Sequence, residues 1–316
     1  MKAIVQTGTG GPEVLSLRDM PLPQPKSGEL LVKVSAIAVN HANKLLRNGV
    51  FPAPSPFPHV MLGEVEGYIV AVGPDVETFR PGQRVTGVSM EGFAEYAVVH
   101  ASQAYLLPEG LAVAEGLLSG GFTAHHLLDQ APEPIHSVLI TGAAGVIGSF
   151  AVQLAQLRGV PVIGAVAGGA EKLDYLRDMG ATVAVSHQTE NWLQTLQSAA
   201  PEGYSLLLEA GGGPIATQLL PLLAPGGTAV LYGNMSAQPV ETDGNLLAFR
   251  SLKIFGASVF AAAAADKQRW HEEMVEAVIN GKLCIPSTGY EFEDYAAAFA
   301  ALESRQVPGR IVLRME

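Results

Sequence analysis

The chain has 316 residues, 48% of them hydrophobic and 16% charged, which is enough apolar surface for two ordinary cores and excludes a disordered chain. Thirty acidic against nineteen basic residues leave a net charge of −11, which argues against a nucleic-acid or anionic-membrane surface as partner. Cys284 is the single cysteine, so neither an internal disulfide framework nor a thiolate-rich zinc site can form.

The opening MKAIVQTGTGG lacks a secretory apolar core, and apolar runs such as 258–265 fall short of the about 20 residues that cross a bilayer. A soluble, cytoplasmic protein is expected. Residues 1 to about 115 read as all-β: ELLVKVSAIAV, GYIVAVG, QRVTGV and FAEYAVVH are separated by turns such as LPQPKSG and FRPGQ. From about 135 the pattern becomes strand–helix alternation. SVLITG is a strand, and 146–158 is a helix with Ile147, Phe150, Ala151 and Leu154 on one face. VPVIGAV follows as a strand, then a helix over 170–179 that Gly180 should terminate. TVAV, a helix near Trp192–Leu196, SLLLEA, a helix over 215–223, the turn APGG and the strand TAVLYG continue the alternation. This order predicts an α/β fold with a doubly wound parallel sheet. Helices near 266–280 and 293–304 and a last strand, GRIVLRM, complete the chain.

The junction VLITGAAGVIGSFAVQLA, 138–155, has the form of a phosphate-binding turn, in which glycines admit a phosphate to the N–H groups of a helix start. Against G-x-G-x-x-G it supplies Ala143, Gly145 and Gly148. No Gly-Lys-Ser/Thr follows, which excludes a Walker A loop. A short-chain dehydrogenase would place the turn near the N-terminus and carry Tyr-x-x-x-Lys, and none of the eight tyrosines has a lysine four residues on.

In order along nearly the whole chain, VSAIAVNHANKLLRNG, LGEVEGYIVAVGPDVETFRPGQRV, GGFTAHHLL, GAAGVIGSFAVQLA, LLAPGGTAVLYGN and GRIVL resemble landmarks of the medium-chain dehydrogenase/reductase superfamily. The resemblance is to its zinc-independent NADPH:quinone oxidoreductase branch. It implies a GroES-like β-rich catalytic domain, 1–119 with 259–316, and a Rossmann NADPH-binding domain, 120–258, with the site in the cleft between them. Leu62-Gly63-Glu64 stands where zinc enzymes have Gly-His-Glu, so no metal site is expected, although His41 and His59 lie nearby. Quinones and α,β-unsaturated carbonyls accept hydride without a Lewis acid, so such an acceptor is the implied substrate.

The same resemblance assigns residues. Gly145, Val146, Ile147 and Gly148 would hold the pyrophosphate, with Val146 replacing a glycine of the branch. Ala167 stands where NAD enzymes carry an acid against the ribose, Lys172 and His187 would meet a 2′-phosphate, and Arg305 resembles a late basic residue that lies near the same cofactor. Thr123 would lie near the nicotinamide ribose or carboxamide, Asn234 where cofactor contacts are usual, and Asn40 beside nicotinamide and substrate, making Asn40 and Thr123 the catalytic candidates. Each has a plain structural alternative: Lys172 as an exposed helix-start lysine, Asn40 as a turn residue. Asn43 and Leu45 replace an aspartate and a tyrosine of the branch. Of His125 and His126, one is expected to pack between domains. The apolar segment SLKIFGASVF, 251–260, would form an outer strand through which a homodimer assembles. Two other readings stay open: a 2-alkenal or enoyl reductase on the same scaffold, and a non-catalytic NADPH-binding protein.

Overall fold

The computed structural model describes residues 1–52, 56–131 and 134–315. Two compact units emerge, Met1–Ser119 with Pro286–Glu316, and Gly120–Ile285. The second therefore runs to Ile285, past the boundary at 258 that the resemblance implies.

The first unit runs through β1 (Lys2–Gln6), β2 (Leu15–Asp19), β3 (Glu29–Val39), helix α1 (His41–Arg47), β4 (His59–Val60), β5 (Gly63–Val72), β6 (Arg84–Ser89), β7 (Tyr96–His100) and β8 (Ala104–Leu106). β3 is its spine, pairing antiparallel with both β5 and β7. Successive side chains of a strand point to opposite faces. Ile37 and Val39 accordingly enter a core with Val65, Phe93 and Phe299, while Ala36 and Ala38 pack with Ala114, Leu117 and Val312. The β3–β5 register shifts between Val34 and Ala36. A side chain at Gly67 would meet the Lys33 carbonyl there, so glycine admits the close approach.

From Gly120 on, α2 (Ser119–Leu128) belongs to the second unit, which continues as β9 (Ser137–Thr141), α3 (Val146–Leu157), β10 (Val162–Ala167), α4 (Leu173–Asp178), β11 (Val183–Ser186), α5 (Trp192–Ala199), β12 (Tyr204–Glu209), α6 (Gly213–Leu219), β13 (Leu223–Leu231), α7 (Gly244–Arg250), β14 (Lys253–Gly256) and α8 (Ala264–Ile279). The chain then returns to the first unit as β15 (Ser287–Glu291), α9 (Tyr295–Ser304) and β16 (Arg310–Arg314), the last pairing with β3.

β11-β10-β9-β12-β13-β14 form one sheet, parallel throughout. Its order reverses between β9 and β12, as in a dinucleotide-binding fold. Every residue of β9 is buried, as expected of a central strand covered on both faces. α3 buries Phe150, Ala151 and Leu154, with each large side chain contributing about 1.5–3 kcal/mol. α4 stops as its sequence predicts: Gly180 has φ +104°, its N–H donates to the Arg177 carbonyl at 3.0 Å, and Ala181 N–H donates to Leu176 at 3.0 Å.

Differences from the sequence pattern are local. APGG lies inside β13, whose pairing with β12 is irregular between Tyr204 and Leu206. The outer strand covers four residues, Lys253–Gly256, not the whole of 251–260. α1 and α7, seven residues each, are too short to display helical periodicity.

Candidate functional site

β9 feeds directly into the glycine turn. Gly142 takes φ +58°, and Gly145 N–H donates to its carbonyl at 3.0 Å, closing the turn. Ala143 N–H donates to Val166 at 3.2 Å and ties the turn to β10. The two motif glycines then do different work. A Cβ on Gly145, the N-cap of α3, would meet only the Gly142 carbonyl oxygen, at 3.3 Å, so the helix start stays open to an incoming group. A Cβ on Gly148 would lie 2.5 Å from Ala143 Cα and Gly142 O, so this glycine lets helix and turn pack together. Val146 turns its side chain toward Gly120, its Cγ1 2.7 Å from where a Cβ on that residue would stand. The N–H groups of Val146, Ile147 and Gly148 are first-turn donors with no partner inside the helix, and the helix dipole there favours an anion.

At the reversal point, Thr141 ends β9 and Glu209 ends β12. Thr141 Oγ1 accepts from Ala210 N–H at 2.8 Å. Glu209 is fully buried; Oε1 accepts from Gly212 N–H at 2.7 Å, and Oε2 has no partner. Burial pushes its carboxyl up from the usual range, against hydrogen bonds from Gly212, Thr141 and Gly211. Tyr232 donates to the Thr141 carbonyl at 3.3 Å, and burial beside Glu209 raises its phenol as well. Sequence reasoning passed over Glu209 and Tyr232; the signal was a lone acid at the end of SLLLEA. Asn234 stands at this end of the sheet, accepting from Ser236 Oγ at 3.0 Å. Met235 N–H donates to Ala210 at 2.9 Å, and Met235 Cε lies 3.2 Å from the Cβ position of Gly142.

Beyond β10 the chain carries Ala167, Gly168 and Gly169. His187 N–H donates to the Ala167 carbonyl at 3.2 Å, and its Nε2 lies 3.7 Å from the Cβ position of Gly168. The Lys172 side chain is 11% exposed, with Nζ 3.8 Å from Glu171 Oε1. The Glu171 carboxylate folds over Gly169, into the volume a Cβ there would take. Ala167 does remove the strand-end acid, but a carboxylate two residues past Gly169 reaches the same corner.

Asn40 follows β3 in the first unit. Its N–H donates to Asn43 Oδ1 at 2.8 Å, its carbonyl accepts from Asn43 N–H at 3.0 Å, and Asn43 Nδ2 donates to the Leu62 carbonyl at 2.8 Å. An aspartate at 43 could not make that last bond, which gives the departure from the branch pattern a physical reason. Arg305, in the left-handed C-cap of α9 (φ +55°), also belongs to the first unit, where its charge acts on His41. Burial, Arg305 and Lys44 together lower the His41 pKa. His59 is buried, stacks on Phe57 at 5.0 Å, and places Nδ1 3.4 Å from the Pro56 carbonyl. Among the described residues no group of three or more His, Cys, Asp or Glu side chains could hold a metal ion.

Thr123 is half-buried on α2. On the same helix His125 stacks on Trp270 of α8 at 5.7 Å, inside the second unit, so its packing is within that unit. The structure thus gathers Gly145, Val146, Ile147, Gly148, Lys172, His187, Asn234 and Thr123 in one unit, and Asn40 and Arg305 in the other.

A GroES-like β-rich unit and a parallel sheet of this order define the two-domain α/β architecture of the medium-chain oxidoreductases. The alcohol dehydrogenase GroES-like domain family matches residues 26–109, and the zinc-binding dehydrogenase family matches 146–280. Human quinone oxidoreductase is 30% identical over 278 residues, covering 85% of this chain and 84% of its own. A Pseudomonas syringae quinone oxidoreductase superposes with a TM-score of 0.90 at 26% identity, covering 99% of both chains. A mycobacterial protein solved with NADPH superposes at 0.89 and 29% identity over 100% of both. The chain belongs to the quinone oxidoreductase branch of the medium-chain dehydrogenase/reductase superfamily. Among the described residues no helix is long and apolar enough to cross a membrane.

Proposed function

We propose that this chain is an NADPH-dependent oxidoreductase that passes hydride to a quinone or another α,β-unsaturated carbonyl, without a metal. The observation that carries the reading is the open helix start at Gly145, beside the reversal point of the parallel sheet. The residues there fit a dinucleotide: unpaired first-turn donors for pyrophosphate, and a small Ala167 followed by Lys172 and His187 where the ribose group would lie. The mycobacterial relative bound to NADPH and the human and Pseudomonas syringae quinone oxidoreductases support the same reading.

When bound, NADPH would supply the hydride and its electron pair. The first-turn N–H groups of Val146, Ile147 and Gly148 would fix the pyrophosphate, Lys172 and His187 would face the 2′-phosphate, and Thr123 and Asn234 would contact the rest of the cofactor. The Asn40 amide would donate to the acceptor oxygen as negative charge develops there, a role in which donors set in advance are most effective. Steady-state NADPH and NADH oxidation with 1,4-benzoquinone and 2-cyclohexenone tests this directly. NADPH should be consumed faster with the quinone, and Asn40→Ala should lower kcat more than NADPH affinity. NADPH binding without turnover of either acceptor would favour a non-catalytic nucleotide-binding protein instead.

We also infer a two-fold homodimer formed through the segment around β14. Among the described strands β14 ends the sheet, and Phe249 (86% exposed), Phe260 (92%) and Phe255 lie exposed beside or on it. Sedimentation at micromolar concentration should find a dimer that Phe260→Asp weakens; a wild-type monomer refutes the assembly.

A further inference from the structure

Tyr175 and Ser149 have no part in the cofactor contacts named above, yet they join two places where those contacts gather. Ser149 follows Gly148 in α3 and is fully buried. Its Oγ lies 2.8 Å from the Tyr175 hydroxyl on α4 and donates to the Ala143 carbonyl of the glycine turn at 3.4 Å. A hydroxyl has a single proton and can also accept. Ser149 gives its proton to Ala143, so the Tyr175 phenol is the donor to Ser149 Oγ. A directed chain of hydroxyls therefore runs from α4 through α3 to the turn.

α4 depends on such a tie. It has six residues, and neither it nor the 3-10 turn before it, Ala170–Lys172, carries a side-chain cap. A helix this short does not hold itself, so its tertiary contacts set its place. Its buried side chain is Leu176, fully covered. Apolar burial is non-directional: it fixes how deep α4 sits, but not its rotation about its own axis. The Tyr175–Ser149 bond supplies that direction, because a hydrogen bond weakens steeply as its angle closes. Lys172 is the N-cap of α4 and already helical in backbone, three positions before Tyr175. Residues at that spacing are neighbours on one helix face. Whatever fixes Tyr175 also fixes the point from which Lys172 leaves the backbone.

We propose that Tyr175 and Ser149 are positioning residues that hold Lys172 at the spacing from the glycine turn that NADPH requires, and so sustain selectivity for NADPH over NADH without touching the cofactor. The inference rests on the roles given to the turn and to Lys172 under the proposed function. In NADPH the pyrophosphate and the 2′-phosphate hang from the same adenosine ribose, which restricts the distance between the two anions. The chain must present its first-turn N–H groups and the Lys172 ammonium at a matching distance. NADH has no 2′-phosphate, so its binding is indifferent to where Lys172 stands.

Fluorescence titration of NADPH and NADH against the full chain and its variants tests this without turnover. Tyr175→Phe should raise the NADPH Kd about three- to tenfold, the scale of one neutral hydrogen bond, and leave the NADH Kd within twofold. Ser149→Ala should do the same, and the double variant Tyr175→Phe/Ser149→Ala should match the weaker single variant within twofold, as expected of two partners in one bond. In a Lys172→Ala background, Tyr175→Phe should change the NADPH Kd less than twofold, because no ammonium is left to position. A Tyr175→Phe variant with the wild-type NADPH Kd, or one that loses NADPH and NADH equally, would overturn the positioning role alone. So would a loss that persists in the Lys172→Ala background. If Tyr175→Phe weakens NADPH and Ser149→Ala does not, the phenol meets the cofactor itself and the pair has no such role. A wild type that binds NADPH no more tightly than NADH would bring down the cofactor reading and this inference with it.

Discussion

Replacing His125 with phenylalanine should make the second unit more resistant to acid than wild type. His125 is 4% exposed, with its ring stacked on Trp270 at 12° between planes. Its Nδ1 accepts from Arg158 Nη2 at 3.1 Å, which puts the ring proton on Nε2, and Nε2 has no partner. Burial first, then the charges of Arg158 and Arg269, lower its pKa from 6.5 to about 4, with Asp129 opposing. A group whose pKa falls on folding is protonated more readily in the unfolded chain. Stability is therefore retained above pH 6.5 and lost progressively as pH drops toward about 4.

Between pH 7.5 and 4.5 that linkage amounts to about 2.5 kcal/mol. Phenylalanine keeps the stack on Trp270 and has no proton to gain, while Arg158 retains Asp129 at 2.7 Å. Other titrating groups act equally in both chains and cancel in the comparison. Urea unfolding at the two pH values should show wild type losing about 2–3 kcal/mol more than the variant on acidification. A small offset common to both pH values would report only the larger ring. Parallel losses would refute the reasoning, because they would mean that folded His125 accepts a proton as freely as unfolded chain.

The two motif glycines should separate fold from binding: Gly148→Ala forces turn and helix apart and should lower the melting temperature, whereas Gly145→Ala should leave melting nearly unchanged and weaken NADPH binding. Titration calorimetry alongside thermal melts distinguishes the two, and equal effects on both measurements would contradict the assignment. Glu171→Gln removes the carboxylate folded over Gly169 and should tighten NADPH by about two- to fivefold, the scale of one exposed charge interaction, with NADH affected less. An unchanged ratio of the two dissociation constants would show that Glu171 stays clear of the cofactor.

What could be read from the chain alone was whatever a few neighbouring residues decide. The strand–helix alternation from 135 to 231 announced a parallel sheet, because strand and helix periods are written into adjacent positions. Gly180 ended its helix for a reason internal to its own backbone. The turn at 142–148 was visible for the same reason, although the separate duties of Gly145 and Gly148 were not. Those duties depend on what each missing side chain would strike, and that is known only once β9, the turn and α3 are placed together.

The tertiary structure decided the remainder through contacts between distant positions. Asn43 reads as a lost aspartate until the Leu62 carbonyl, nineteen residues on, is seen to need a donor. Glu64 reads as the residue after an absent zinc ligand until Ser119, fifty-five residues away, meets both its oxygens. His125 reads as a histidine between domains until Trp270 stacks on it and Arg158 claims its lone pair. Periodicity and turn chemistry act over one or two helical turns, so sequence carries them. The charge state, orientation and partner of a buried polar group depend on desolvation and on donors delivered by remote strands and helices, and only the folded chain brings those together.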